Sequence, residues 1–169
     1  MKTQVLKPDA AAMALAAQLL KDGKLVGMPT ETVYGLAADA LNEAAVRDIF
    51  IAKGRPGDNP LIVHIADIAQ LQPLIAEAPS IAAKSLMDAF WPGPMTLIFP
   101  KADAVPLRTT GGLNTVAVRF PSHPVAQALI GQSGLPLAAP SGNRSGRPIP
   151  TTAAHMLEDM DGRIDLILD

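Results

Sequence analysis

Lys53 and Arg55, in the run Lys53-Gly54-Arg55-Pro56, are the first residues in this sequence whose types and spacing could do chemistry. In an extended loop, residues two apart point to the same side. An ammonium and a guanidinium placed so could clamp phosphates, the guanidinium by bidentate hydrogen bonds and the ammonium as a compact charge. Without a ligand, the same pair reads as a basic loop after a helix C-terminus, where the helix dipole favours positive charge. A second segment, Pro140-Ser141-Gly142-Asn143-Arg144-Ser145-Gly146-Arg147-Pro148, is crowded with hydroxyl, amide and guanidinium groups. It suits an anion held by backbone and side-chain donors, or equally a surface loop rich in turn formers. It matches neither a Walker loop nor a GxGxxG fingerprint. His64 and Arg119 sit within or at the end of apolar runs. There His64 is either a satisfied core residue or a ligand, and Arg119 needs an anionic ligand, a nearby carboxylate or water.

Strands and helices must carry these groups. Asp9 can cap a helix over 10–22 that closes at Gly23, and Asn42 opens another, with Val46, Ile49 and Phe50 on one face, ending near Lys53-Gly54. Strands are predicted over 24–28, broken by Pro29, and over 61–65, 95–99, 115–119, 137–139 and 164–168. Further helices are expected over 67–76, 80–90 and 123–132, and from about Thr151-Thr152. Trp91-Pro92-Gly93-Pro94 makes a rigid turn. This alternation predicts an α/β fold, a twisted mixed sheet with flanking helices. The polar loops 29–34, 53–60, 109–119 and 140–150 leave strand ends, where α/β sheets gather ligands.

With 169 residues and 49% hydrophobic composition, the chain suits one domain with one filled core. A net charge of -2 disfavours a protein that coats nucleic acid and favours a small anion as partner. There is no cysteine, which excludes thiol catalysis, disulfides and thiolate metal sites, and three scattered histidines offer no metal cluster. No apolar run reaches the roughly 18 residues that span a bilayer, so a cytoplasmic location without membrane contact is expected.

Several stretches together resemble the YrdC/Sua5 family of threonylcarbamoyl-adenylate synthases. They are Pro29-Thr30-Glu31-Thr32-Val33-Tyr34-Gly35-Leu36; Lys53-Gly54-Arg55-Pro56 running to Asn59-Pro60-Leu61-Ile62-Val63-His64; Trp91-Pro92-Gly93-Pro94; Thr115-Val116-Ala117-Val118-Arg119; and Ala139-Pro140-Ser141-Gly142-Asn143. The resemblance implies a three-layer YrdC/RibB-like α/β fold with a concave ligand-binding face. It implies condensation of L-threonine, bicarbonate or carbon dioxide and ATP to threonylcarbamoyl-AMP and pyrophosphate, toward N6-threonylcarbamoyladenosine in tRNA. The family's KxR plus SxN pattern falls on Lys53, Arg55, Ser141 and Asn143, around the triphosphate, with Lys53 and Arg55 as the catalytic charges. By the same carry-over Asn59, Thr115 and the backbone at Ile149 join the ATP contacts. Thr32, His64, Arg119 and Ala139 would contact L-threonine. Magnesium would come with the nucleotide phosphates, without dedicated protein ligands.

Family members usually continue past the last strand seen here, into further ligand-binding motifs, so 1–169 is expected to be one YrdC-like domain lacking the family's usual C-terminal end. Gly142 stands where the family usually has Ala, which predicts a looser loop. Ile149-Pro150-Thr151 replaces Ser-Pro-Thr, losing a hydroxyl. Two other readings stay open. One is an RNA-binding module using Lys53, Arg55, Arg119, Arg144 and Arg147, which 4% aromatic content disfavours. The other is a catalytically incomplete relative that binds ATP and threonine. A downstream threonylcarbamoyl-transferase machinery is the expected protein partner.

Overall fold

The carboxylate of Asp9 accepts the Ala12 N–H at 2.8 Å and opens helix α1 (Ala10–Lys21), and Gly23, at φ 77°, turns the chain out of it. The same local chemistry starts the other helices of this computed structural model, which describes all 169 residues. Asn42 caps α2 (Glu43–Lys53), Ser80 caps α3 (Ile81–Phe90), His123 caps α4 (Pro124–Ser133) and Thr152 caps α5 (Ala153–Met160).

Eight strands join in one sheet: β1 (Gln4–Leu6), β2 (Val26–Pro29), β3 (Tyr34–Asp39), β4 (Ile62–His64), β5 (Thr96–Pro100), β6 (Thr115–Arg119), β7 (Leu137–Ala138) and β8 (Leu166–Leu168). Their order is β1-β8-β2-β3-β7-β4-β6-β5, with β8 parallel to β1 and β2, β4 parallel to β6, and the remaining pairs antiparallel. The predicted mixed α/β sheet is therefore present.

Two expectations change. The helix over 67–76 is instead two short 3₁₀ turns, Ile68–Gln70 and Gln72–Leu74. Pro73 cannot donate within a helix, and the chain is drawn out to pair with the end of β5, where Ala76 N–H reaches the Pro100 carbonyl at 2.9 Å. Strands β1 and β3 were not expected. β3 is rich in Gly and Ala, and it becomes a strand because β2 and β7 pair with it on both sides.

Side chains of alternating strand positions build two apolar layers. One face of the sheet meets α2, α5 and Met87 of α3 through Leu36, Val63, Val118 and Ile167. The other meets α1 and α4 through Val26, Met28, Leu137, Leu166 and Leu168. The buried sheet residues of this second layer come only from β2, β3, β7 and β8, with Leu6 of β1 packed against them. Over β4, β6 and β5 the same face carries no helix. Ile62, Ala117 and Ile98 lie in register there, as do His64, Arg119 and Thr96. Ile98 is 70% exposed on this uncovered face.

Gly111 fixes one rim of this open face. At φ 62° its missing Cβ would lie 2.7 Å from Pro60 N and 2.8 Å from Asp58 O, both backbone atoms. The adjacent Thr109 carbonyl accepts Leu61 N–H at 2.9 Å, so the two loops are closely locked. Gly111→Ala combines left-handed strain with a backbone clash, and is expected to cost about 2 kcal/mol or more. In a chain of this size a melting curve should show a fall of roughly 4–8 °C.

Candidate functional site

Lys53 is the last residue of α2, and Gly54 in the left-handed region (φ 65°) ends the helix directly after it. The expectation that Lys53 stands on a polar loop is thereby corrected. Its side chain is among the most buried in the protein, at 1% exposure. The Nζ donates to Asn143 O at 2.7 Å and also to Ser141 O. An ammonium has three N–H groups, so one remains. Burial, and then the neighbouring Arg55, pull its pKa from 10.5 to about 8, with Asp159 opposing.

Beside it the Arg55 guanidinium carbon lies 5.3 Å from the centre of the Phe50 ring, and Nε is buried without a partner. Asn143 uses both amide hydrogens internally, on Arg144 O at 3.0 Å and Arg147 O at 2.9 Å. That fixes the amide orientation, and it leaves Oδ1 as a buried acceptor with no donor. Buried polar atoms are rarely left so outside ligand sites. Gly142 is not a loosened position. Met156 fills the space its Cβ would take, with Cε at 2.7 Å and Sδ at 2.8 Å.

A second group forms at the far end of β4 and β6. His64 and Arg119 are register partners there, at 2% and 8% exposure. His64 Nδ1 is 3.1 Å from the Ile62 carbonyl, which can only accept, so in the neutral ring Nδ1 carries the proton. Burial pulls the His64 pKa from 6.5 to about 4, against the pull of its carbonyl partners, so the ring is neutral at physiological pH. Burial also lowers Arg119 from its ordinary value.

Arg119 Nη1 donates to Thr32 Oγ1 at 3.2 Å, and its guanidinium pairs with the Glu31 carboxylate, which also takes Ser122 N–H and Oγ–H. Of the partners open to Arg119 in the sequence, the nearby carboxylate is realised. It is Glu31, which sequence reasoning passed over although it lies inside the polar 29–34 loop. The tip of the β2–β3 hairpin thus lies across the open sheet face and covers Arg119.

The two groups are joined through the 139–143 segment. Ala139 N–H reaches Ile62 O at 3.2 Å, Gly142 N–H reaches Tyr34 O at 2.9 Å, and Gly35 bridges Ser141. Asn59, Thr115 and Ile149 lie on the exposed rim and hydrogen-bond to neither group. Thr115 is four strand steps from Arg119, about 13 Å. The site is elongated, with cations toward one end and a neutral imidazole plus a guanidinium at the other. No cluster of three or more carboxylate or imidazole groups forms along it. Three of the five basic residues considered for RNA are engaged inward: Lys53 on two carbonyls, Arg119 on Glu31, and Arg147 on Asp159. No helix is long and apolar enough to cross a membrane.

A family model described as telomere recombination, covering the Sua5, YciO and YrdC proteins, matches residues 18–169. The chain belongs to the Sua5/YciO/YrdC family. A threonylcarbamoyl-AMP synthase of Bacillus subtilis (strain 168) is 57% identical over 168 residues, 99% of this chain and 48% of the relative. One from Pyrococcus abyssi is 56% identical over 155 residues, 92% of this chain and 45% of the relative. The solved structure of P. abyssi Sua5 complexed with L-threonine superposes with a TM-score of 0.95 at 51% identity, covering 99% of this chain and 50% of that one. This chain therefore spans about half the length of these relatives.

Neutral burial of His64 has a measurable consequence for this member of the family. Between pH 6.5 and about 4 the unfolded imidazole binds a proton that the folded one refuses, so stability falls as pH drops through that window and does not return below it. The full difference is on the order of 3 kcal/mol. Urea unfolding at pH 7.5 and pH 4.5 should show most of that loss in the wild type. His64→Gln, which cannot titrate, should show a clearly smaller one.

Proposed function

We propose that this chain is a threonylcarbamoyl-AMP synthase domain, one YrdC-like unit over 1–169. The observation that carries this is the Lys53 ammonium, buried and pinned between the Ser141 and Asn143 carbonyls beside the unpartnered Arg55 Nε. Such a preorganised pair of cations suits a triphosphate and the charge that grows on its leaving group.

In this reading the threonine carboxylate binds Arg119, with Thr32 Oγ1, His64 Nε2 and the backbone at Ala139 around the rest of the amino acid. ATP takes the other end, with its triphosphate beside Lys53, Arg55, Ser141 and Asn143, the two cations and the Ser141 hydroxyl supplying the donors, and with Asn59, Thr115 and the backbone at Ile149 on its outer part. The threonine amine and bicarbonate form a carbamate and release water. A carbamate oxygen attacks the α-phosphorus, the bond to the bridging oxygen of the β-phosphate breaks, and pyrophosphate leaves with that electron pair. Neither step needs a protein nucleophile, so positioning and charge neutralisation carry the catalysis.

Magnesium brought by ATP fits this donor set as an ion held by phosphates and water. The orphaned Asn143 Oδ1 is suited to its hydration shell, and the ion would neutralise phosphate charge. The product is a reactive mixed anhydride, so the reading calls for prompt transfer to tRNA by a separate threonylcarbamoyl transferase, in the cytoplasm where tRNA is modified.

The test incubates the chain with ATP, magnesium, bicarbonate and labelled threonine and looks by mass spectrometry for threonylcarbamoyl-AMP with pyrophosphate. Product that needs all three substrates supports the reading. No product from a folded chain that still binds ATP and threonine would replace it with a binding-only relative.

A further inference from the structure

The 141–147 loop has neither strand nor helix of its own, and two buried charges from different helices hold it. From α2, Lys53 takes the Ser141 and Asn143 carbonyls. From α5, the Asp159 carboxylate, its side chain 5% exposed, accepts Arg144 N–H at 2.9 Å through Oδ2 and pairs with Arg147 Nε at 2.5 Å through Oδ1. Arg144 and Arg147 are also the residues whose carbonyls take both hydrogens of the Asn143 amide. The Asp159 contacts thus hold the two residues that fix the Asn143 amide and its buried, unpartnered Oδ1. Met156, three residues earlier on α5, fills the space beneath Gly142.

A carboxylate is a poor neighbour for a triphosphate, since like charges repel and burial without partners is costly. Its two partners account for its place here. Resting on the proposed function, we propose that Asp159 is a positioning residue for the triphosphate of ATP. It acts through Arg144, Arg147 and Asn143 rather than by touching substrate. It also acts on the Lys53 ammonium, where it opposes the neighbouring Arg55 and is the one negative charge of the two.

The test measures steady-state constants for ATP and threonine, and calorimetric binding of a non-hydrolysable ATP analogue, in Asp159→Ala, Asp159→Asn and Arg147→Met. Arg147 is half exposed, so its side chain can be replaced without opening a core cavity, and melting curves on each variant check the fold. Asp159→Ala should raise the KM for ATP about tenfold or more and leave that for threonine within about twofold, the loss of one buried charge-assisted pair. Asp159→Asn keeps an acceptor for Arg144 N–H, and Arg147→Met keeps the carboxylate, so each should cost about threefold. Removing the negative charge should also move the alkaline limb of kcat/KM for ATP, near pH 8 in the wild type, to lower pH. Equal rises in both KM values, or a lower melting temperature with unchanged ATP affinity, would reduce Asp159 to a structural residue. If the wild type binds the analogue but forms no adenylate, the proposed reaction fails while the affinity comparison still decides the role of Asp159. If it binds no ATP at all, both fall.

Discussion

Lys53→Ala is expected to lower adenylate formation by about a thousandfold or more, because it removes the one cation that is both buried and held in place at the end of the site proposed for the triphosphate. Loss of a single preorganised donor to developing charge costs roughly 10²–10³ in rate. Here the same ammonium also ties down Ser141 and Asn143, so the loop that completes the site loosens with it. Two buried carbonyls lose their donor, at about 1–3 kcal/mol each, so the melting temperature should fall as well. The burial of Lys53 thus makes this substitution costly to the fold as well as to the rate.

Arg55→Ala separates the two effects. The Arg55 side chain is only half-buried and makes no hydrogen bond, so its loss should depress the rate steeply while the melting temperature moves by only a few degrees. The protonation state gives a second handle. With the Lys53 pKa near 8, kcat/KM for ATP should be flat through pH 7 and fall about tenfold per unit above pH 8, as the free ammonium disappears. Steady-state rates in pyrophosphate release, with melting curves on the same samples, check all three. Near-wild-type turnover in Lys53→Ala, or a flat alkaline limb, would remove Lys53 from the chemistry.

What could be read from the sequence divides along the range of the interactions. The helices were legible because Asp9, Asn42 and Ser80 each satisfy N–H groups two or three residues away. β3 was not, since Tyr34–Asp39 has weak strand propensity and owes its state to β7, about a hundred residues further on. The 67–76 segment failed in the opposite sense, an apolar period undone by Pro73 and by pairing with β5. In the site, residue types and family motifs pointed to Lys53, Arg55, Ser141 and Asn143 together, and the structure joins three of them by hydrogen bonds. Glu31 and Asp159 went unread. A carboxylate in a polar loop or on a helix surface looks the same as any other until the fold supplies its partner, 88 residues away for Glu31 and Arg119.

Arg119→Gln should lower kcat/KM for threonine by about a hundredfold or more and leave the KM for ATP within about twofold. A charge-assisted bidentate pair between guanidinium and carboxylate contributes on the order of 3 kcal/mol when sheltered from water, and 1.4 kcal/mol is a factor of ten. Arg119 is 8% exposed and opposite a neutral His64, so no neighbouring cation replaces it at that end. The same variant strips the Glu31 carboxylate of its cation, which destabilises the fold whatever the substrate does. The double variant Arg119→Gln with Glu31→Gln tells the two apart, since it removes both charges and leaves amides able to bond each other. Its melting temperature should recover most of what the single variant loses, while threonine use stays about a hundredfold down. If removing Glu31 also restored activity, the loss in Arg119→Gln would be a folding effect, and the carboxylate of the amino acid would have to bind elsewhere. If threonine use in Arg119→Gln matched the wild type from the start, the assignment of this end of the site to the amino acid would fail.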